Sequence, residues 1–63
     1  MSRDAEMLER HGWAFVSRKR KGMVVMAYWH DPVTLEVVRQ GYAVIQQRTR
    51  NQAKRAAQAA RKT

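Results

Sequence analysis

The sequence predicts a small α+β domain of order α-β-β-α, an antiparallel hairpin packed on a long C-terminal helix with a projecting basic tail. Three observations carry this. A short segment of mixed acidic and apolar character, residues 2–10, runs into Gly12. Two apolar runs, Trp13–Val16 and Met23–Trp29, flank the tetrad Arg18-Lys19-Arg20-Lys21 and Gly22. From Val33 onward apolar residues recur every third or fourth position and lead into a stretch of Ala, Gln, Asn, Lys and Arg, which are helix-tolerant or helix-favouring types.

Taken in order, Ser2 is a suitable N-cap, and Asp4 and Glu6 complement the positive end of a first helix whose Ala5, Met7 and Leu8 face inward. Gly12 supplies its C-terminal stop. The two apolar runs read as strands, and the basic tetrad with Gly22 as the loop between them. His30-Asp31-Pro32 then closes the sheet. Asp31 suits an N-cap and Pro32 a first helical position, so the long helix is expected to begin there. Its stripe would be Leu35, Val38, Tyr42, Ile45 and Thr49, continued by Ala53, Ala56, Ala57 and Ala60. A helix from Val33 to Ala60 would be about 40 Å long. Gly41 within it is expected to admit an aromatic side chain of the sheet. Residues 1–49 form the expected core and 50–63 the basic tail, with no repeat and no second domain.

A chain of 63 residues buries little surface, and this one has no Cys for a disulfide. Its large side chains, Trp13, Phe15 and Trp29, are therefore expected in the core, with Met7, Met23 and Met26 as filler there or at an interface. The second strand is apolar on both faces, and the long helix carries Val37 and Val44 to one side of its stripe. That surplus marks Met26, Tyr28, Val37 and Val44 as a candidate protein interface, in a homodimer or on another protein.

Charge is the strongest functional signal. The net charge is +8, and no acid follows Glu36, whereas Arg39, Arg48, Arg50, Lys54, Arg55, Arg61 and Lys62 do. The chain cannot neutralise these groups internally, which points to a polyanion or an acidic protein surface outside it. On a helix Arg48, Arg55 and Lys62 line one edge and Arg50, Lys54 and Arg61 another, with Gln47, Asn51 and Gln58 between them. Cations on two edges suit phosphates on both walls of a groove, and Asn51 or Gln58 suits base edges. Arg18, Lys19, Arg20 and Lys21 make a second basic element at the hairpin, which would also serve as a guard against edge aggregation. Tyr28 and Trp29 nearby have the chemistry to stack on unpaired bases, although a small domain has more need of its tryptophan for burial.

Catalytic chemistry is poorly provided for. The five carboxylates lie where caps and helix dipoles use them, and there is no Gly-rich phosphate loop, Cys nucleophile or metal-ligand spacing. No enzyme, cofactor, metal or small-molecule substrate is expected. Residues 6–30, Glu-Met-Leu-Glu-Arg-His-Gly-Trp-Ala-Phe-Val and the hairpin after it, resemble the opening of the HicA toxin ribonucleases. The resemblance implies a helix, a Gly-Trp step into a sheet and a fold similar to double-stranded-RNA-binding domains. The family's Gly-Ser-His is replaced, since Gly22 is followed by Met23-Val24, and the helix start expected at Asp31-Pro32 stands where the family has a third strand.

The N-terminal residues contain no apolar run resembling a signal peptide, and Met23–Trp29 is too short to span a bilayer. A cytoplasmic location is expected. The tail's non-basic face is Ala, which disfavours a membrane-surface role. The expectation is a small non-enzymatic nucleic-acid-binding accessory or regulatory protein, DNA or RNA being open, whose size suits a phage or mobile element. The alternatives are a protein-interaction module or inhibitor docking on an acidic surface, and a small structural subunit of a larger assembly.

Overall fold

In a computed structural model, which describes residues 3–61 and leaves the side chain of Arg61 undescribed, the chain is α+β with element order α1 (Arg3–Arg10), β1 (Ala14–Lys21), β2 (Val24–His30), β3 (Val37–Arg39) and α2 (Gln40–Arg61). The expected cap Ser2 lies outside the described residues. The strands form one antiparallel sheet in the order β1-β2-β3. Both helices pack on the same face of it.

Helix α1 ends where the glycine placed it. Gly12 takes φ +89°, its N–H donates to the Glu9 carbonyl at 3.1 Å, and the Trp13 N–H donates to the Leu8 carbonyl at 3.0 Å. This paired bonding satisfies the last carbonyls of the helix, and the apolar contact that accompanies such a stop is Leu8 with Trp13, both buried.

The hairpin is longer and its turn tighter than expected. Arg18–Lys21 belong to β1, paired with Ala27, Met26, Val25 and Val24, and only Gly22-Met23 form the turn. A two-residue connection with φ +62° at its first residue alone matches the type II′ turn that suits twisted antiparallel strands. The tetrad is therefore not a loop. Long cationic side chains sit well on a strand whose faces are both solvated here. A bulge at Val16 shifts the register between Phe15 and Ser17. Beyond it Arg18 and Arg20 share the face of Phe15 and Trp29, whereas Lys19 and Lys21 share the face of Tyr28 and Met26.

The largest departure lies after His30. Asp31 does cap, its Oδ1 accepting from the N–H groups of Val33 at 2.8 Å and Thr34 at 3.4 Å, and the Leu35 N–H donates to the Asp31 carbonyl. One helical turn results and stops, because Leu35 adopts φ +66° and the Asp31 N–H closes the loop on the Glu36 carbonyl at 2.8 Å. The chain reverses into β3, where the β-branched pair Val37-Val38 lies opposite His30 and Trp29. A third strand thus occupies the place where the helix was expected to start, and α2 begins at Gln40.

The core is small. Leu8, Trp13, Trp29, Ala43 and Val44 are its buried apolar residues, with Ala5, Met7, Ala27 and Val38 packed against it. Phe15 meets Trp29 edge to face at 5.5 Å between centroids yet remains half exposed, and Met23 at the turn is 97% exposed, so neither is the core residue expected. The buried side of α2 differs from the expected stripe. It carries Gln40, Ala43, Val44 and Gln47, while Tyr42, Ile45 and the alanines of the tail are exposed. The indole N–H groups explain this. Trp13 donates to Gln47 Oε1 at 2.9 Å and Trp29 to Gln40 Oε1 at 3.0 Å. A buried indole needs an acceptor, and two glutamines seven residues apart supply both from one helix face. Val44 is therefore core, not interface. The expected crevice at Gly41 is absent, since a Cβ added there meets nothing within 4 Å.

Candidate nucleic-acid interface

The molecule measures 52 × 22 × 15 Å, and two groups of its cations lie apart along the chain, Arg18–Lys21 on the hairpin and Arg48, Lys54 and Arg55 on α2. Strand β3 runs toward the hairpin tip, and α2 turns back past Trp29, Trp13 and Asp31 before leaving the body. Residues 52–60 of α2 are all exposed. The tail therefore projects from the end opposite the hairpin tip.

At the hairpin end Arg18, Lys19, Arg20 and Lys21 are exposed on both faces of a two-stranded ribbon. Arg18 lies over the Phe15 ring at 5.9 Å and Lys19 over Tyr28 at 5.5 Å, contacts that hold the side chains without neutralising them. Arg20 Nε donates to the Gly22 carbonyl at 3.3 Å across the turn. Tyr28 and Met26 lie half-buried on the sheet face that carries no helix, and Val37 is exposed beside them on β3. Trp29 is 2% exposed and belongs to the core, which removes it as a stacking surface.

At the other end, the side of α2 that faces the core continues past Gln47 as Asn51, Lys54, Arg55 and Gln58. His11, just after α1, joins these four residues in lining one shallow groove, and Arg48, Asn51, Gln52 and Arg55 line a second. The structure thus gathers Asn51, Lys54, Arg55 and Gln58 with His11 in an inner corner between the tail and the body, with Arg48 beside them on the flank of α2. Asn51 is half engaged, since its Oδ1 accepts from Gln47 Nε2 at 2.9 Å. Its amide nitrogen faces no such constraint. His11 was not legible as a neighbour of the tail, because only packing of α1 on α2 brings it there.

Arg50 departs from the group. Its guanidinium makes a paired bond with the Asp31 carboxylate, Nη1 to Oδ1 at 3.0 Å and Nη2 to Oδ2 at 2.7 Å, and lies over the Trp13 ring at 5.5 Å. Asp31 is buried, and the Arg50 bond, helped by the Val33 and Thr34 N–H groups, holds its carboxyl far below the usual carboxylate range against the opposing effect of burial. Arg50 ties the loop after β2 to α2 and is not available to a phosphate. Among the described residues no carboxylate lies within ion-pair distance of Arg18, Lys19, Arg20, Lys21, Arg48, Lys54 or Arg55. The helix backbone reaches Arg61, whose side chain is not described, and Lys62 lies outside the described residues.

Among the described residues no three His, Cys, Asp or Glu side chains gather as a metal site would require, and no helix is long and apolar enough to cross a membrane. No family model matches the chain, and no curated protein or solved structure matches it either.

Proposed function

We propose that this chain is a small non-enzymatic nucleic-acid-binding protein of accessory or regulatory type, gripping the phosphate backbone at both ends of its long axis. The observation that carries the reading is the pair of basic groups, Arg18–Lys21 on the hairpin and Arg48, Lys54 and Arg55 on α2, which have no carboxylate at ion-pair distance among the described residues of a 52 Å body. Condensed positive charge of this kind releases counterions from a polyanion on binding, and that release drives affinity. Arg48, Lys54 and Arg55 stand on a rigid helix, with Asn51 and Gln58 between them to approach base edges.

The test is a titration onto duplex and single-stranded nucleic acid at several salt concentrations. Engagement of all seven cations gives a slope of about −6 in log K against log salt on duplex DNA. The triple change Arg48→Gln, Lys54→Gln, Arg55→Gln should lower the magnitude of that slope by about 3, and Gln at all four hairpin cations by about 4. Binding that is flat with salt, or untouched by both sets, would overturn the proposal. A protein partner that survives nuclease and high salt while nucleic acid is not retained would favour the alternative, docking on an acidic protein surface steered by the same cations.

A further inference from the structure

The surface of this chain is larger than its mass warrants. It exposes 5377 Å², whereas a compact monomer of 7.4 kDa exposes about 4,200 Å². The difference, roughly 1,200 Å², exceeds the ~800 Å² that one partner contributes to an ordinary stable interface. The projecting end of α2 accounts for a share of it. The body also exposes apolar side chains, among them Val37 at 53%, Tyr42 at 54%, Ile45 at 62% and Leu35 at 69%.

Three of these side chains, Val37, Tyr42 and Ile45, are neighbours. Tyr42 and Ile45 lie one turn apart on the outward side of α2. Tyr42 and Val37 line a single cavity of about 540 Å³ with Tyr28, Glu36, Val38 and Arg39, and this cavity wraps the free edge of β3. The sheet has two edges, and they are guarded unequally. Strand β1 carries four consecutive cations and a bulge, both of which oppose pairing with another strand. Strand β3, Val37-Val38-Arg39, has no bulge and a single cation, so shortness is its main guard.

Charge selects the occupant. A second copy seated directly on the hairpin or the tail in a two-fold arrangement would press like cation clusters against each other, whereas pairing at β3 keeps every cation in solvent. The edge of β3 lies in the nearly neutral middle of the molecule, with Glu36 and Arg39 at its two ends. A two-fold operation on that edge sets the carboxylate of each copy near the guanidinium of the other, so the patch is self-complementary. We infer that the chain forms a two-fold homodimer in which the β3 edges pair antiparallel into one six-stranded sheet and Tyr42 and Ile45 of the two α2 helices pack across the axis. This stands independently of the nucleic-acid reading.

The experiment is sedimentation equilibrium of nuclease-treated protein in about 0.5 M salt, where surface charges are screened and nucleic-acid bridging is removed. The wild type should show twice 7.4 kDa at about 100 μM and dissociate on dilution. The double change Val37→Glu, Ile45→Gln alters two exposed side chains and should yield a monomer with an unchanged near-ultraviolet tryptophan signal. As a control, Met23→Gln with Val24→Gln, two exposed residues at the hairpin tip, should leave the dimer intact. A monomeric wild type, a dimer that survives the β3 and α2 changes, or a dimer broken by the hairpin changes would each overturn the inference. So would a wild type that is monomeric alone and associates only with a different protein.

Discussion

Asp31 combines three features in one side chain: it caps its own loop, receives Arg50 from the middle of α2, and sits beneath the surface. Removing Arg50 strands a buried charge, whereas removing Asp31 leaves a partly exposed guanidinium. Arg50→Met leaves the Asp31 carboxylate with two backbone donors and is expected to destabilise the fold by about 3 kcal/mol in urea denaturation. Asp31→Asn should cost less, since the neutral amide keeps part of the bonding. Because the folded Asp31 pKa is depressed, its stabilisation is complete above the unfolded value near 4 and is lost as the pH falls below it. Thermal melts from pH 5 down to 2 should therefore fall more steeply for the wild type than for Asp31→Asn; parallel curves would mean that the bond contributes nothing. Trp13 and Gln47 illustrate the same lesson in neutral form. Their bond joins residues 34 positions apart, so no local pattern could have announced a buried glutamine.

At the level of elements, legibility tracked how local the cause was. Helix α1 and its end were readable because Gly12 acts within one turn. The hairpin was readable from its apolar runs, but its turn was misplaced, since four cations in a row look like a loop and nothing in sequence marks a strand with both faces wet. Strand β3 was hidden by a valid helix signal: Asp31 and Pro32 do start a turn, and only Leu35 at positive φ ends it. Three residues leave no period to detect. The faces of α2 were exchanged for a similar reason, as Tyr42 and Ile45 are the more apolar residues while Gln40 and Gln47 have the indole partners. Of the candidate site, the hairpin and tail cations were readable as charge, but the loss of Arg50 to Asp31 was not. Gly41 offers a direct check on the helix. With open space at its Cβ position, Gly41→Ala should raise stability by about 0.5 to 1 kcal/mol, measured on the monomeric double variant so that association does not intervene. A loss would place a neighbour against that face.

For the whole molecule, length is the quantity that matters. A 52 Å body laid along B-form DNA spans about 15 base pairs at 3.4 Å each. Duplexes shorter than this can meet only one pole at a time. Affinity measured over a length series should therefore rise until about 15 base pairs and then level off, apart from the statistical gain in sites. A plateau at 6 to 8 pairs, roughly half that span, would mean that one pole acts alone. The two-fold pairing proposed above has a bearing here. It reverses one copy relative to the other, so each end of the dimer receives a hairpin from one chain and a tail from its partner, and the footprint gains charge without gaining much length.

The bulge at Val16 decides more than local geometry. Were the strand regular at this point, with Val16 paired opposite Tyr28, every side chain beyond it would turn over, and the guanidinium groups of Arg18 and Arg20 would exchange sides with the ammonium groups of Lys19 and Lys21. As built, the planar, fork-shaped donors accompany the helices and the compact, strongly hydrated ones accompany the bare side. One extra amino acid thus sorts two kinds of cation between the opposite surfaces of a ribbon.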